Sequence, residues 1–327
     1  MAVELAAQSC WFLTGVTATG KTRIALALAQ ALGAEIISLD SMAIYRGMDV
    51  GTAKPTPEQQ AVTPHHLIDI VDPKEDFSVA QYLNAAHAKI AEIQARGREV
   101  LFVGGTPLYL KALLRGLFEG PPADWNLRRE IEAELVEVGS EALHARLEQI
   151  DPVAASAIHP RDKRRLIRAI EVYRATGQPI SHHQLQFDDA RSADECRVFV
   201  LRRPRPEQNA RIDERVEEML QRGLVDEVRQ LTADGRRLGR TASQAVGYHE
   251  AIEHLAGRLD VAAMAARIKT RTRQFAKRQG VWFRSLAECR FVDIEGKWMR
   301  TSWRSRSRRR GGRRGDALLS PRSVTGG

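Results

Sequence analysis

Cysteine is scarce in this 327-residue chain, and Cys10, Cys196 and Cys289 lie far apart. Because no C-x-x-C pair occurs, the common structural zinc motifs are excluded, and so few thiols are typical of a reducing compartment. Long apolar segments are also missing, since no run of about 18 apolar residues occurs and no signal-peptide pattern opens the chain. We therefore expect a cytoplasmic protein that does not associate with a membrane.

Histidine is uncommon, with nine residues, and two adjacent pairs suggest a metal site at first sight. In His65-His66 and His182-His183 the two side chains point in different directions in any regular element. No third ligand lies at a suitable spacing, so we expect buried or capping histidines instead of a metal site.

The chain has a formal net charge of +9, and acidic residues are scarce in two of its basic regions. Residues 300–327 carry nine arginines and one aspartate, so this tail supplies +8 of that charge. The tail is rich in Arg, Ser and Gly and has no apolar period, which predicts disorder. No acid occurs from Val261 to Ala287, where seven cations stand. Since a solvated helix usually mixes signs, this stretch predicts a surface that follows nucleic-acid phosphates.

The most informative feature that the chain does contain is a phosphate-binding motif. The run Gly15-Val16-Thr17-Ala18-Thr19-Gly20-Lys21-Thr22 fits G-x-x-x-x-G-K-[ST]. An apolar run precedes it and an apolar helical pattern follows it, so the motif stands between a predicted strand and a predicted helix. Its backbone N–H groups and the helix N-terminus would hold an oligophosphate. Lys21 is expected to reach a terminal phosphate, and the Thr22 hydroxyl to bind Mg²⁺.

Two other predicted strands end in polar residues. Asp40 follows the apolar run of residues 35–39, and Thr106 follows the run of residues 100–103 after two glycines. In parallel sheets, reactive groups collect at the carboxyl ends of the strands. Asp40 could bind Mg²⁺, accept a proton from a nucleophile or cap a helix. The strand before Thr106 lacks the acid that ATPases and kinases often carry there, which counts against plain nucleotide hydrolysis.

Many ordered blocks of the chain resemble the bacterial tRNA dimethylallyltransferases, also called tRNA isopentenyltransferases. The P-loop is similar to the family's G-P-T-A-S-G-K-T, with Val16 for Pro and Thr19 for Ser, and residues 40–55 nearly match the family signature. Further matching blocks stand at residues 64–69, 104–109, 151–152, 158–160, 164–173, 176–181, 211–216, 245–248 and 272–279. The resemblance covers about residues 8 to 284.

The resemblance implies that the protein transfers a dimethylallyl group from dimethylallyl diphosphate to N6 of the adenosine on the 3′ side of the anticodon of tRNAs, and releases pyrophosphate. It implies that the P-loop holds the donor diphosphate. Lys21, Thr22 and Mg²⁺ would neutralise the leaving pyrophosphate. Asp40 would be the general base, and Thr106 would orient the target nucleotide.

Two arginines could bring further charge to the pyrophosphate. Arg211 and Arg215 fall in a matching block, but their i,i+4 spacing also suits surface ion pairs with the neighbouring acids of residues 213–218. Both interpretations stay open on the sequence.

The resemblance also implies contacts with tRNA. They involve Asp40, Ser41, Met42, Ala43, Thr106, Arg128, Arg164, Arg165, Leu166, Ile167, Arg168, Thr272, Arg273, Gln274, Phe275, Ala276, Lys277, Arg278 and Gln279. For the block 164–168 a plain cationic helix is the alternative, and for Arg128 an arginine on a helix surface. The expected partners are a tRNA anticodon stem-loop and dimethylallyl diphosphate, with the protein a monomer.

The predicted fold is α/β, a P-loop NTPase-like parallel sheet flanked by helices, with an all-helical insertion domain and a disordered basic tail. Residues 1–119 form the first part of the P-loop core, 120–195 the helical insertion, 196–299 the return to the core with tRNA-binding helices, and 300–327 the tail. The hydrophobic content of 43% supports a substantial core. A P-loop kinase for a small molecule and a non-catalytic RNA-binding protein are the alternative functions.

Overall fold

The computed structural model describes residues 6–116, 120–121, 123–183 and 191–294. The predicted tail, residues 300–327, lies outside the described residues. The chain divides into a core unit, Met1–Leu114 with Arg191–Gly327, and a helical unit, Arg115–Ala190. The predicted boundaries of the insertion, residues 120–195, stay a prediction.

The core unit contains one sheet, in which every described strand pairs in parallel. In chain order the strands are β1 (Trp11–Gly15), β2 (Ala34–Leu39), β3 (His65–His66), β4 (Glu99–Gly104), β5 (Val198–Arg202) and β6 (Cys289–Asp293). Their order across the sheet is β3-β2-β4-β1-β5-β6. Every residue of β1 and β2 is buried, as expected for parallel strands covered on both faces. The predicted parallel α/β fold is confirmed.

Helices flank this sheet and build the second unit. In chain order they are α1 (Lys21–Leu32), α2 (Pro57–Val62), α3 (Val79–Ala95), α4 (Pro107–Arg115), α5 (Trp125–Val138), α6 (Ser140–Ile150), α7 (Pro152–Ala157), α8 (Lys163–Thr176), α9 (Ile180–His183), α10 (Arg205–Gln221), α11 (Leu224–Leu231), α12 (Arg240–Ser243), α13 (Tyr248–Leu255) and α14 (Val261–Arg284). Within the described ranges, none of these helices is long and apolar enough to span a membrane.

The position of the P-loop follows from the packing of α1. This helix places Ile24 and Leu28 in one apolar cluster with Leu13, Ile36 and Leu201 of the sheet. Burying a side chain of this size contributes about 1.5–3 kcal/mol, so several of them fix the helix firmly on the sheet. The N-terminus of α1 is thereby held at the carboxyl end of β1.

A second apolar cluster joins the segment after β2 to the C-terminal helices. Tyr45 and Met48 are fully buried there against Tyr248 of α13 and Ile268 of α14. This packing holds an irregular stretch of chain, residues 40–56, as a defined part of the core unit.

The helical unit has its own apolar core. Ile131, Leu143, Leu147 and Leu166 are fully buried in it, and they come from α5, α6 and α8. The apolar residues that recur at helical spacing in these helices thus form their inward face.

Candidate active site

The P-loop runs from the carboxyl end of β1 into the first turn of α1. Its first glycine is required by space, because a Cβ atom on Gly15 would lie 2.5 Å from the Leu201 carbonyl oxygen. Gly20, with φ 91°, is in the left-handed region and forms the N-cap of α1. The loop therefore turns sharply between two packed elements and presents the helix N-terminus to any bound anion.

Three side chains from the region of α10 bind consecutive carbonyl groups of the P-loop. Gln208 Nε2 donates to the Thr17 oxygen, Arg211 Nε to the Ala18 oxygen at 2.9 Å, and Arg203 Nε to the Thr19 oxygen at 3.0 Å. In a planar trans peptide the next N–H points opposite to the carbonyl. The N–H groups of residues 18–20 are thereby turned away from α10.

Lys21 folds back over the loop. Its Nζ donates to the Gly15 oxygen at 2.9 Å and to the Val16 oxygen at 2.8 Å. Burial, with a smaller contribution from the Arg215 charge, lowers the pKa of this ammonium to about 7, and the Asp40 carboxylate opposes both effects. Lys21 Nζ also reaches the end of β4, because a Cβ atom on Gly105, the residue before Thr106, would lie 3.7 Å from it.

Asp40 and Thr106 meet at the ends of neighbouring strands β2 and β4. The Thr106 hydroxyl accepts a hydrogen bond from Ser41 N at 3.0 Å, and the Thr106 N–H donates to the Leu39 oxygen at 3.1 Å. Asp40 Oδ1 accepts from Met42 N at 2.8 Å and from Ala43 N at 3.4 Å. The half-buried carboxylate thus has a fixed orientation beside the Thr106 hydroxyl.

Gly104 allows this close approach of the two strand ends. A Cβ atom there would lie 2.1 Å from the Leu39 carbonyl oxygen. Any side chain at residue 104 would push β2 and β4 apart next to Asp40 and Thr106. Residue 104 is therefore glycine for a steric reason.

The segment between Asp40 and α2 is held by the side chains of Glu227 and Lys54. Glu227 accepts hydrogen bonds from the N–H groups of residues 49, 50 and 51 and from the Tyr248 hydroxyl. Lys54, with 5% of its side chain exposed, pairs with Asp49 and Asp69. The near-signature block found in the sequence is therefore a loop held by specific side-chain contacts.

Arg211 and Arg215 both face the site. Arg211 lies on the P-loop as described, and Arg215 Nη2 donates to the Thr52 oxygen at 3.3 Å. Burial lowers the pKa of Arg215, and the nearby Asp40 carboxylate raises it. Asp213, one of the acids expected as a surface partner, pairs with Arg273 instead. The geometry thus places Arg211 on the P-loop and Arg215 against the segment that follows Asp40.

Sequence reasoning missed the contacts of Arg203 and Gln208, and it gave Gln279 a different role. Gln279 is 4% exposed, and its amide contacts Thr17 N and the Gly105 oxygen. A signal was present, because both glutamines fall on the apolar stripe of a helix. Gln208 precedes the buried Ile212 by one turn, as a polar residue facing inward.

Comparison with known proteins places this geometry in a family. The IPP transferase model matches residues 43–286. A tRNA dimethylallyltransferase of Rhodopirellula baltica is 52% identical over 286 residues, which cover 85% of this chain and 86% of that protein. The full-length tRNA isopentenylpyrophosphate transferase from Bacillus halodurans has a similar structure, with a TM-score of 0.63, 41% identity and coverage of 88% of this chain and 90% of the other.

The chain belongs to the IPP transferase family. It is therefore an enzyme of the transferase class. A eukaryotic dimethylallyltransferase acting on tRNA is also similar in structure, with a TM-score of 0.69 at 26% identity, over 87% of this chain and 73% of that one.

In this IPP transferase, the predicted RNA contacts on α8 divide into buried and exposed residues. Leu166 and Ile167 are buried in the apolar core of the helical unit. Arg164 and Arg165 are exposed, and Arg165 pairs with Asp162 at 2.6 Å. Only the exposed arginines can present charge to a phosphate without rearrangement of the helix.

Arg128 and Arg168 both pair with a buried acid. Glu171 is fully buried and accepts from Arg128 Nε at 2.9 Å and from Arg168 Nη1 at 2.8 Å. The Arg128 guanidinium also lies 4.9 Å from the ring centroid of Trp125. The two arginines thus have a structural function, whatever their contact with RNA.

The predicted RNA contacts on α14 divide in the same way. Gln274, Phe275, Lys277 and Arg278 are exposed, whereas Ala276 and Gln279 are buried. Thr272 donates to the Ile268 oxygen, and Arg273 pairs with Asp213. The outward face of α14 is therefore the part of this block that can contact a polyanion.

Proposed function

We propose that this IPP transferase moves a dimethylallyl group from dimethylallyl diphosphate to N6 of the adenosine on the 3′ side of a tRNA anticodon. The observation that carries the proposal is the meeting of Asp40 and Thr106, on adjacent strand ends, with Lys21 of a phosphate-binding loop. The names of the relatives, which are tRNA dimethylallyltransferases and isopentenyl transferases, support the same reaction.

The P-loop would bind the diphosphate of the donor. Negative charge would grow on the bridging oxygen as the C–O bond breaks, and the loop N–H groups and Lys21 would stabilise that charge. Arg211 and Arg215 would add positive charge on the same side. The contacts from α10 would hold these amides in place before the donor arrives, so little reorganisation would be needed during the reaction.

Mg²⁺ fits the donor set of this site. The Thr22 hydroxyl stands in the first turn of α1 beside the loop, and hydroxyl and phosphate oxygens are ligands that Mg²⁺ prefers. Thr22 would hold the ion, which would supply further charge neutralisation to the pyrophosphate.

Asp40 would act as the general base. The adenosine N6 forms a bond to the prenyl carbon while the carbon–oxygen bond to the diphosphate breaks, and the surplus proton on N6 passes to the Asp40 carboxylate. Thr106, fixed by Ser41 N, would orient the adenosine edge through its hydroxyl. A base in an anticodon loop must leave its stack to reach such a site, at a cost of a few kcal/mol.

The RNA would bind along the outward face of α14 and on the exposed arginines of α8. Seven cations and no acid lie between Val261 and Ala287, which suits a phosphate-following surface. We also propose that the helical unit is an insertion domain for tRNA recognition, and that the enzyme acts as a monomer.

Pyrophosphate release tests the proposal and the role of Asp40 together. With dimethylallyl diphosphate and Mg²⁺, release should depend on added unmodified tRNA, and Asp40→Asn should slow it about 10²–10⁴-fold while tRNA affinity is unchanged. Asp194→Asn is the matched control, because that aspartate is 94% exposed and lies in no proposed site. Release without tRNA, or near-normal release by Asp40→Asn, would contradict the assignment. ATP consumption with a small acceptor would favour the kinase alternative.

A further inference from the structure

The side chain of Gln279 connects two parts of the candidate active site. Its Oε1 accepts a hydrogen bond from Thr17 N of the P-loop at 2.9 Å, and its Nε2 donates to the Gly105 oxygen at 2.5 Å. Thr17 N can only donate and the Gly105 oxygen can only accept, so the orientation of the amide is determined by its partners. Both ends of the side chain are thus engaged inside the protein.

The absence of a side chain at Gly105 leaves the space that this contact needs. A Cβ atom on Gly105 would lie 2.7 Å from Gln279 Nε2 and 3.3 Å from the Gly15 oxygen. A Cβ atom on the next helix residue, Gly280, would lie 3.7 Å from Val16 Cγ1. The glycine at residue 105 therefore lets the Gln279 side chain lie directly against the end of β4, and α14 passes close to Val16 of the P-loop at Gly280.

The P-loop amide that Gln279 uses is not one of those oriented by α10. Gln208 of α10 donates a hydrogen bond to the Thr17 carbonyl, and Gln279 of α14 accepts one from the Thr17 N–H, so two helices bind one residue of the loop. The N–H groups of residues 18–20 come directly after Thr17 in the chain. The bridge therefore sets where the phosphate-binding amides stand relative to Gly105 and the Thr106 that follows it.

We propose that Gln279 is a positioning residue that fixes the donor-binding loop against the loop that carries Thr106, rather than a residue that contacts RNA. This inference rests on the proposed function, in which the P-loop holds the donor and Thr106 orients the acceptor. A transfer between two substrates requires reacting atoms at near-contact distance, and a displacement of about 1 Å can cost about 10²-fold in rate. Each substrate still meets its own binding groups when the bridge is removed.

The test compares Gln279→Met, which keeps the bulk and removes both hydrogen bonds, with wild type. The single-turnover rate of prenyl transfer at saturating tRNA and donor should fall about 10–100-fold. The dissociation constants for tRNA and for inorganic pyrophosphate should change by less than about threefold, since other groups bind each. Gln230→Met, on the exposed surface of α11, is the matched control and should behave as wild type.

Hydrogen exchange provides a readout that does not depend on transfer. In Gln279→Met the amides of residues 14–22 and 103–107 should exchange faster, while those of residues 261–274 keep their protection. Gln279→Glu separates the two halves, because a carboxylate accepts from Thr17 N and cannot donate to Gly105. Its P-loop segment should stay protected and only the segment around Gly105 should loosen. Thermal unfolding of both variants checks that they are folded.

Two kinetic results would overturn the inference. A Gln279→Met rate within twofold of wild type would show that the bridge is not needed, and a rate restored by excess tRNA, with weakened tRNA affinity, would assign the residue to the RNA surface. If wild type transfers nothing, the proposed function fails, and exchange alone decides. Unchanged exchange in both segments then refutes the bridge, and faster exchange in both supports it.

Discussion

Removing Arg168 should destabilise the helical unit before it affects RNA binding directly. Its guanidinium donates to Glu171 Oε2 at 2.8 Å and, through Nη2, to the Pro121 oxygen at 2.8 Å. Glu171 is fully buried and also accepts from Asp124 N at 2.8 Å and from Arg128. The acid therefore joins α8, the start of α5 and the chain before it.

The loss of stability depends on which hydrogen-bond and ion-pair partners Glu171 retains in the variant. Breaking a buried ion pair so that one charge is uncompensated costs about 3–5 kcal/mol. In Arg168→Ala the carboxylate retains Arg128 and the Asp124 N–H, so we expect a loss of about 2 kcal/mol in the free energy of unfolding. Arg128→Ala should cost a similar amount, because it leaves Arg168 as the remaining cation. Lys163→Ala, at an exposed position on the same helix, should cost less than about 0.5 kcal/mol.

Urea unfolding followed by circular dichroism measures these differences. The tRNA dissociation constant of each folded variant, measured over a range of salt concentrations, separates stability from RNA contact. Arg164→Ala, at an exposed position of α8, should reduce the salt slope of tRNA binding by about one. If Arg168→Ala unfolds at the wild-type urea concentration, the Glu171 cluster does not have this structural role.

Three further predictions concern the core unit. Gly104→Ala should destabilise the protein by about 3 kcal/mol, since its methyl group would lie 2.1 Å from a β2 carbonyl oxygen, and a urea midpoint like that of wild type would refute the clash. Glu227→Ala removes the acceptor for three backbone N–H groups and the Tyr248 hydroxyl, so it should cost about 3 kcal/mol, and Glu227→Gln, which keeps one carbonyl oxygen, about half as much. The third prediction concerns the charge of Lys21, and the pH dependence of pyrophosphate binding, measured without metal, tests it. Burial gives the free ammonium a pKa of about 7, and a bound anion favours the charged form, so binding takes up a proton above pH 7. As the pH rises above 7, the affinity of the wild type for pyrophosphate should therefore fall by up to about tenfold per pH unit relative to that of Lys21→Arg. Parallel pH profiles of the two proteins would contradict this role of Lys21.

The parallel sheet and the P-loop were predictable because their causes are local. An apolar strand, a glycine turn and an apolar helix ending at Gly33 follow one another in the sequence, and each is read from neighbouring residues. Asp40 and Thr106 could be placed together by the rule that parallel strands end at one edge. The structure adds the register of β2 against β4, in which Leu39 pairs with Gly104.

The contacts that could not be predicted come from residues far apart in the chain. Gln279 lies 262 positions from Thr17, and no local pattern specifies which loop a buried amide will meet. The basic block 164–168 reads as a cationic surface, yet the partner of Arg168 is an acid on the next turn of the same helix. Charge in a sequence does not show whether a side chain faces solvent or a buried carboxylate, because that depends on tertiary packing.

Prenyl transfer to tRNA can be observed directly by mass analysis of tRNA nucleosides. Purified protein is incubated with unmodified tRNA, Mg²⁺ and dimethylallyl diphosphate, and the tRNA is then digested and analysed. We expect the adenosine next to the anticodon to gain one dimethylallyl group, and Asp40→Asn to yield almost none in the same time. Unmodified adenosine after incubation with folded protein that binds tRNA would contradict the proposed reaction.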